Sequence, residues 1–243
     1  MRADNIIIST KSSRTEDISN HKPKGKTKQM TTIKHFPHIP HPNHQKAPDE
    51  TYYAITGGIG SGKSFVCKRL EALGIKVYDC DAGAKRLMRS SKQLQDELRR
   101  LVGEDVYIDN VLQKRILAQY ILESNDHAQQ VDDIIHPAVA RDFITSGLHW
   151  LESAIFFDSG FNKRVSIDKV ICVTAPLETR IARIMKRDTI TRAKAIEWID
   201  RQLPQQEVLS LSDYEIVNDG ATDIDQQIKD ILRRLAHPTT SED

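Results

Sequence analysis

The sequence predicts an α/β fold: a five-stranded parallel sheet flanked by helices. Three observations predict it. From residue 51 onward, short apolar runs alternate with stretches of helical periodicity. Parallel pairing follows, because helices placed between strands act as crossovers. A glycine-rich loop stands between the first apolar run and the first helix. The composition is that of a folded chain, since 39% hydrophobic residues among 243 supply a core and exclude full-length disorder.

In order, residues 52–56 read as a buried strand running into the glycine loop. Residues 64–73 read as a helix, with Val66, Leu70 and Leu73 on one face and Gly74 in a stop position. A second strand, 75–78, is expected beside the first. Residues 92–102 are helical through Leu94, Leu98 and Leu101, bounded by Ser91 and Gly103. Another helix is expected at 111–122. Residues 126–145 repeat their apolar positions at a helical period, with Pro137 expected to kink them. Strands follow at 149–157 and 169–175. A helix over 176–187 opens on a proline, a favoured first-turn residue. One over 191–202 has Thr191 as candidate cap. A last strand, 214–217, precedes a closing helix over 222–235.

The first 49 residues differ in kind. They hold five of the nine prolines and five of the nine histidines, and nine Lys+Arg against four Asp+Glu. Such a segment cannot bury enough surface to offset its ordering entropy, so residues 1–49 read as a disordered basic tail. Its histidines at 35, 38, 41 and 44 lack neighbouring Cys or carboxylates, which makes them a weak metal signal. Residues 50–238 form the folded domain, and 239–243 a disordered C-terminus. The folded part is net acidic, which gives no support to nucleic-acid binding. No apolar run approaches the roughly 20 residues of a membrane span, and no secretory signal is present. Cys67, Cys80 and Cys172 form no CxxC pair, which fits a reducing, cytoplasmic setting.

Gly57-Gly58-Ile59-Gly60-Ser61-Gly62-Lys63-Ser64 matches G-x-x-x-x-G-K-[ST] in full, between a strand and a helix. The glycines let successive N–H groups turn inward, and the helix N-terminus attracts phosphate. The expectation is a P-loop NTPase fold binding ATP. Lys63 would meet the β- and γ-phosphates and Ser64 a Mg²⁺ ion.

Three further features bear on the reaction. Asp79-Cys80-Asp81 follows the second strand, at the sheet edge where ligands bind. An Asp there could orient an acceptor hydroxyl, or Asp81 could simply cap the next helix. Arg180, Arg183 and Arg187 lie on the helix after Pro176, and a mobile arginine-bearing hairpin can close over a nucleotide. The alternative is a solvated basic face. Asn218-Asp219-Gly220 follows the last strand, and by itself reads as an ordinary turn.

Together these residues resemble the dephospho-coenzyme A kinase family. Residues 54–64 are similar to its opening motif nearly letter for letter, and Asp79-Cys80-Asp81 to its Asp-Ala-Asp segment. Ile135-His136-Pro137-Ala138-Val139 is similar to its Ile-x-His-Pro-x-Val motif. Arg183 to Asp188, Gln202, and Asp213-Tyr214 through Asn218 and Gly220 follow in the family's order. The match covers about residues 52–236.

The resemblance implies phosphorylation of the 3′-hydroxyl of dephospho-CoA by ATP, the last step of coenzyme A synthesis, in a monomer or weak homo-oligomer. It implies ATP contacts from Gly58, Gly60, Ser61, Gly62, Lys63, Ser64, Phe65 and Asn218. It also implies catalytic roles for Asp81, Lys63, Arg183 and Arg187, and substrate contacts from Asp79, Asp81, Lys85 and His136. Residues 82–147 would receive CoA, and residues 177–206 would form the lid. Phe65 stands where the family has Thr, Lys85 where it often has Arg, Asn110 where it often has Gly, and Asp158 where it has Glu. Arg180 has no counterpart in the pattern and reads as surface. A kinase acting on a nucleoside or nucleotide, and a nucleotide-dependent switch, are the alternative readings.

Overall fold

The computed structural model describes residues 51–237, so the expectations for 1–49 and 239–243 lie outside the described residues. Five strands form one sheet: β1 (Tyr53–Thr56), β2 (Val77–Asp79), β5 (Trp150–Glu152), β6 (Lys169–Thr174) and β7 (Tyr214–Val217). Their order is β2-β5-β1-β6-β7, every pairing parallel. A two-stranded hairpin, β3 (Tyr107–Ile108) with β4 (Val111–Leu112), stands apart. The helices are α1 (Lys63–Ala72), α2 (Cys80–Ser90), α3 (Lys92–Val102), α4 (Lys114–Glu123), α5 (Asn125–Thr145), α6 (Leu177–Asp188), α7 (Arg192–Asp200), α8 (Gln205–Ser210) and α9 (Ile224–Ala236).

Successive strand residues face opposite sides of a sheet, and this alternation builds two cores. Ala54, Leu151 and Val170 face the helices α2–α5, with Val131, Ile135 and Phe143 of α5 opposite them. Ile55, Ile171 and Val173 face α1 and α9, meeting Val66, Leu70 and Ile228. A third, smaller cluster joins Ile59 of the glycine loop to Ile181 and Ile184 of α6 and Ala195 of α7.

The structure corrects four expectations. The second strand lies beside β5, not β1, with Tyr78 opposite Leu151. Strand order is not written in periodicity. The fully buried Leu151 lies on the interior strand, and the less buried β2, which ends on the exposed Asp79, takes the edge. The strand expected over 149–157 ends at Glu152, because Ser153 accepts the Ile155 N–H in a turn. The helix expected from 111 starts at Lys114, since Asp109 and Asn110 take positive φ (50° and 62°) and turn the chain into the hairpin. Asp and Asn are the non-glycine residues that tolerate such a turn best. Finally, the cap of α2 is Asp79, whose Oδ1 accepts from the Ala82 N–H at 2.9 Å, while Asp81 lies inside the helix. The helix α8 was not anticipated. Pro137 removes one donor inside α5 but does not end it.

Candidate active site

The phosphate loop hangs between β1 and α1. Gly62, at φ 98°, turns the chain into the helix, and a Cβ there would stand 2.0 Å from Asn218 Nδ2. Only glycine meets both demands. The loop's carbonyls are held by side chains. Lys63 Nζ donates to Gly57 O at 2.8 Å, and Asn218 Nδ2 to Ser61 O at 2.9 Å. Arg183 Nη1 reaches Ser61 O at 3.1 Å and Gly60 O at 3.4 Å, and its Nη2 reaches Asn218 Oδ1 at 3.1 Å. The Lys63 and Ser64 N–H groups, at the start of α1, have no acceptor within their helix. A loop with its carbonyls tied back and its amides at a helix N-terminus is built to receive phosphate.

The acids gather at the neighbouring strand ends. Asp79 and Glu152 are register partners across β2 and β5. Glu152 Oε1 stands 3.6 Å from Lys63 Nζ, its side chain only 15% exposed. Burial raises the Glu152 carboxyl above the usual carboxylate range, and Lys63 works against that rise. Sequence reading missed Glu152. Its signal was a lone acid in an apolar run, hidden because the strand was drawn past it. Asp81 lies in the first turn of α2, exposed, with Lys85 Nζ 2.6 Å from its Oδ2. Cys67, on α1 beside this cluster, is pushed up to about 12 by burial and then by Glu152, so it is a neutral thiol.

The fit to Mg²⁺ can be judged from these donors. Mg²⁺ prefers one or two carboxylates completed by phosphate oxygens and water. Ser64, at the start of α1, and Glu152, facing Lys63 at the adjacent strand end, supply that kind of partial set. Among the described residues no three His, Cys, Asp or Glu side chains converge.

Other expected site residues are placed elsewhere. Arg187 pairs with its neighbour Asp188 at 2.7 Å and is half exposed. Phe65 is exposed, with the Arg69 guanidinium 4.9 Å above its ring. Arg180, read as surface, is 4% exposed and donates from Nε to Ile59 O at 3.0 Å. It has no counterpart in the family pattern, yet its side chain is covered by the phosphate loop. Asp158 accepts from the Leu203 N–H at 3.2 Å, securing the chain beyond α7.

His136 joins Asp132 rather than the sheet-edge acids, with Nε2 3.6 Å from Asp132 Oδ1. Burial, then Arg164, lowers His136 to about 4. Burial, then Asp133, raises Asp132 to about 7, and its Oδ1 has no hydrogen-bond partner. A carboxyl raised on folding costs nothing below its unfolded pKa of 3.8, and costs progressively more as pH rises to about 7. Asp132→Asn is therefore expected to stabilise the protein above pH 7, on the order of 2 kcal/mol or roughly 4–8 °C. The gain should vanish below about pH 4. Thermal melts across that range check it, and a gain independent of pH would refute the ionisation argument.

The profile of the dephospho-CoA kinase family matches residues 51–223. The dephospho-CoA kinase of Bacteroides fragilis is 37% identical over 188 residues, covering 74% of this chain and 91% of that protein. That of Porphyromonas gingivalis is 42% identical over 174 residues, covering 68% and 84%. Among solved structures, a Thermus thermophilus protein superposes with a TM-score of 0.66 at 28% identity, covering 76% of this chain and 98% of the other. The dephospho-CoA kinase of Campylobacter jejuni, at TM-score 0.55 and 20% identity over 78% of this chain and 98% of the other, shares the fold.

Proposed function

The chain belongs to the dephospho-CoA kinase family, and we propose that it transfers the γ-phosphoryl group of ATP to the 3′-hydroxyl of dephospho-CoA. One observation carries the reading. Lys63, in its phosphate loop, reaches across β1 to Glu152, at the same sheet edge as Asp79 and Asp81. Phosphate cradle and candidate acceptor acid thus share one end of one sheet, where open α/β sheets bind ligands.

The residues divide the work. The amides at the start of α1 receive the β- and γ-phosphates. Lys63, held in reserve on Gly57 O, turns to the same oxygens and neutralises charge that develops on them. Ser64 and Glu152 would hold Mg²⁺, which when bound supplies further neutralisation at those oxygens. Asp81 orients the ribose hydroxyl and accepts its proton, with Lys85 as its ion-pair partner. Asp79 fixes the start of α2 and so the position of Asp81. Arg183 ties the loop to Asn218 at the end of β7, the expected side of the nucleotide base. Arg187 is the arginine free of the loop carbonyls, and it is our candidate for the closing lid. Helices α2–α5 would receive the pantetheine arm, with His136 contributing as a neutral ring.

Cys67, Cys80 and Cys172 are free thiols, which supports a reducing compartment, and we place the enzyme in the cytoplasm. Among the described residues no helix is long and apolar enough to cross a membrane.

The test is product formation from Mg²⁺-ATP with dephospho-CoA, AMP and adenosine as parallel acceptors. Phosphorylation of dephospho-CoA at its 3′-hydroxyl, in large preference to the others, is expected. Preference for AMP or adenosine would make it a nucleotide or nucleoside kinase. ATP binding without transfer would make it a switch.

A further inference from the structure

Ile59 is the one residue of the phosphate loop whose side chain belongs to another element's core. It is 4% exposed and packs with Ile181, Ile184 and Ala195 of α6 and α7. Its backbone is gripped from the same side. Its N–H donates to Gln202 Oε1 at 2.7 Å, just beyond α7. Its carbonyl accepts from Arg180 Nε at 3.0 Å, in the first turns of α6. Gln202 is 7% exposed and Arg180 4%. The guanidinium fills the space over Gly58, where a Cβ would meet Arg180 Nη2 at 2.2 Å. Both roots of the α6–α7 arm therefore converge on two consecutive peptide units, Gly58–Ile59 and Ile59–Gly60.

We propose that Arg180 and Gln202 are positioning residues that clasp the Ile59 backbone and thereby fix the orientation of the phosphate-binding amides that follow it. The inference rests on the kinase reading only in that the loop binds a nucleoside di- or triphosphate. Three features favour a positioning role over simple packing. A glycine-rich loop has no intrinsic preference for one conformation, so something outside it must select one. The two side chains meet opposite hydrogen-bonding needs of one residue: an acceptor for its N–H and a donor for its carbonyl. Neither arises from local sequence, since the partners lie 121 and 143 residues away.

The clasp also locates the movable part of the arm. Its roots are bound to the loop, so closure must bend the arm beyond them. Thr189, at φ 55°, ends α6 in the left-handed region and joins it to α7. Arg187 stands beside that bend and Arg180 behind it.

Equilibrium binding of ADP tests the clasp without reference to the acceptor. Gln202→Met and Arg180→Met keep length and apolar stem while removing the acceptor and the donor. Each is expected to weaken ADP binding about 10-fold, as the loss of a buried hydrogen bond to a positioned group does. The double variant should lose less than the product of the two, because both act through Ile59. KM for dephospho-CoA should not change, and melting of the nucleotide-free variants should shift far less than their ADP affinity. Arg180→Lys keeps an N–H donor that can reach the Ile59 carbonyl, so it should recover part of the affinity lost in Arg180→Met. Wild-type ADP affinity in both methionine variants would overturn the proposal. Failure of wild-type protein to phosphorylate dephospho-CoA while it binds ADP would refute the assigned reaction and leave the clasp standing.

Discussion

Lys63→Met is expected to lower the rate of phosphoryl transfer by on the order of 10²–10³-fold, the cost of removing one preorganised charge from a transition state that is mostly charge. The argument is geometric. Lys63 is 8% exposed, begins α1 and spans the gap between Gly57 O and Glu152. Its ammonium is therefore already desolvated and poised at the loop, and little reorganisation precedes the reaction. KM for dephospho-CoA should stay near the wild-type value, because the acceptor is assigned to the Asp79–Asp81 edge. The substitution also strips Glu152 of its cation. A buried carboxyl without a partner takes up a proton, so the folded protein should persist. Circular dichroism should show the native helix content, and steady-state kinetics should show the loss in turnover. Activity within about 10-fold of wild type would remove Lys63 from the phosphate chemistry.

How much of this was legible in the sequence follows from where each piece of information lives. The strand–loop–helix setting of Gly57 to Ser64 was legible, because it rests on the loop's own backbone and the helix it starts. That helices flank both faces of the sheet was legible from the order of strands and helices, and Ala54 and Ile55, facing opposite cores, follow from it. Strand order was not, since nothing in the periodicity of Val77–Asp79 says which neighbour it finds. Glu152 was lost through a boundary. A strand extended to 157 buries an acid mid-strand, whereas a strand that stops at 152 puts it at the ligand edge. Arg180 was lost because the family pattern has no counterpart for it, and nothing local in the sequence says what covers it. Its cover comes from the far end of the chain's described part, through Ile59. Asn110 was noted as a departure from glycine, yet at φ 62° it does what glycine would do. The pattern is physical: information carried by local backbone geometry was readable, and information carried by long-range pairing was not.

Glu152 and Asp81 are two acids at one sheet edge in different environments, and the roles proposed for them differ accordingly. Asp81 is exposed and paired with the partly exposed Lys85; Glu152 is buried against the loop. Asp81→Asn is expected to lower turnover by about 10²–10⁴-fold, the usual worth of a general base. The Mg²⁺ concentration giving half-maximal activity should stay where it is. Glu152→Gln is expected to raise that concentration by about 10-fold or more, as loss of one carboxylate from a partial donor set does. Excess Mg²⁺ should recover part of its rate. The pH profile gives an independent check. Burial holds the Glu152 carboxyl above the ordinary range, so in the free enzyme it is protonated at pH values where an exposed glutamate is not. Activity should then fall as pH drops through that raised value, and Glu152→Gln should abolish this acid limb. Asp81→Asn should leave it in place at lower amplitude. If the two variants instead share one phenotype, with equal shifts in Mg²⁺ dependence and pH profile, the acids act as one unit. Asp81 would then belong to the metal rather than to the acceptor, and the base would have to be sought elsewhere on β2.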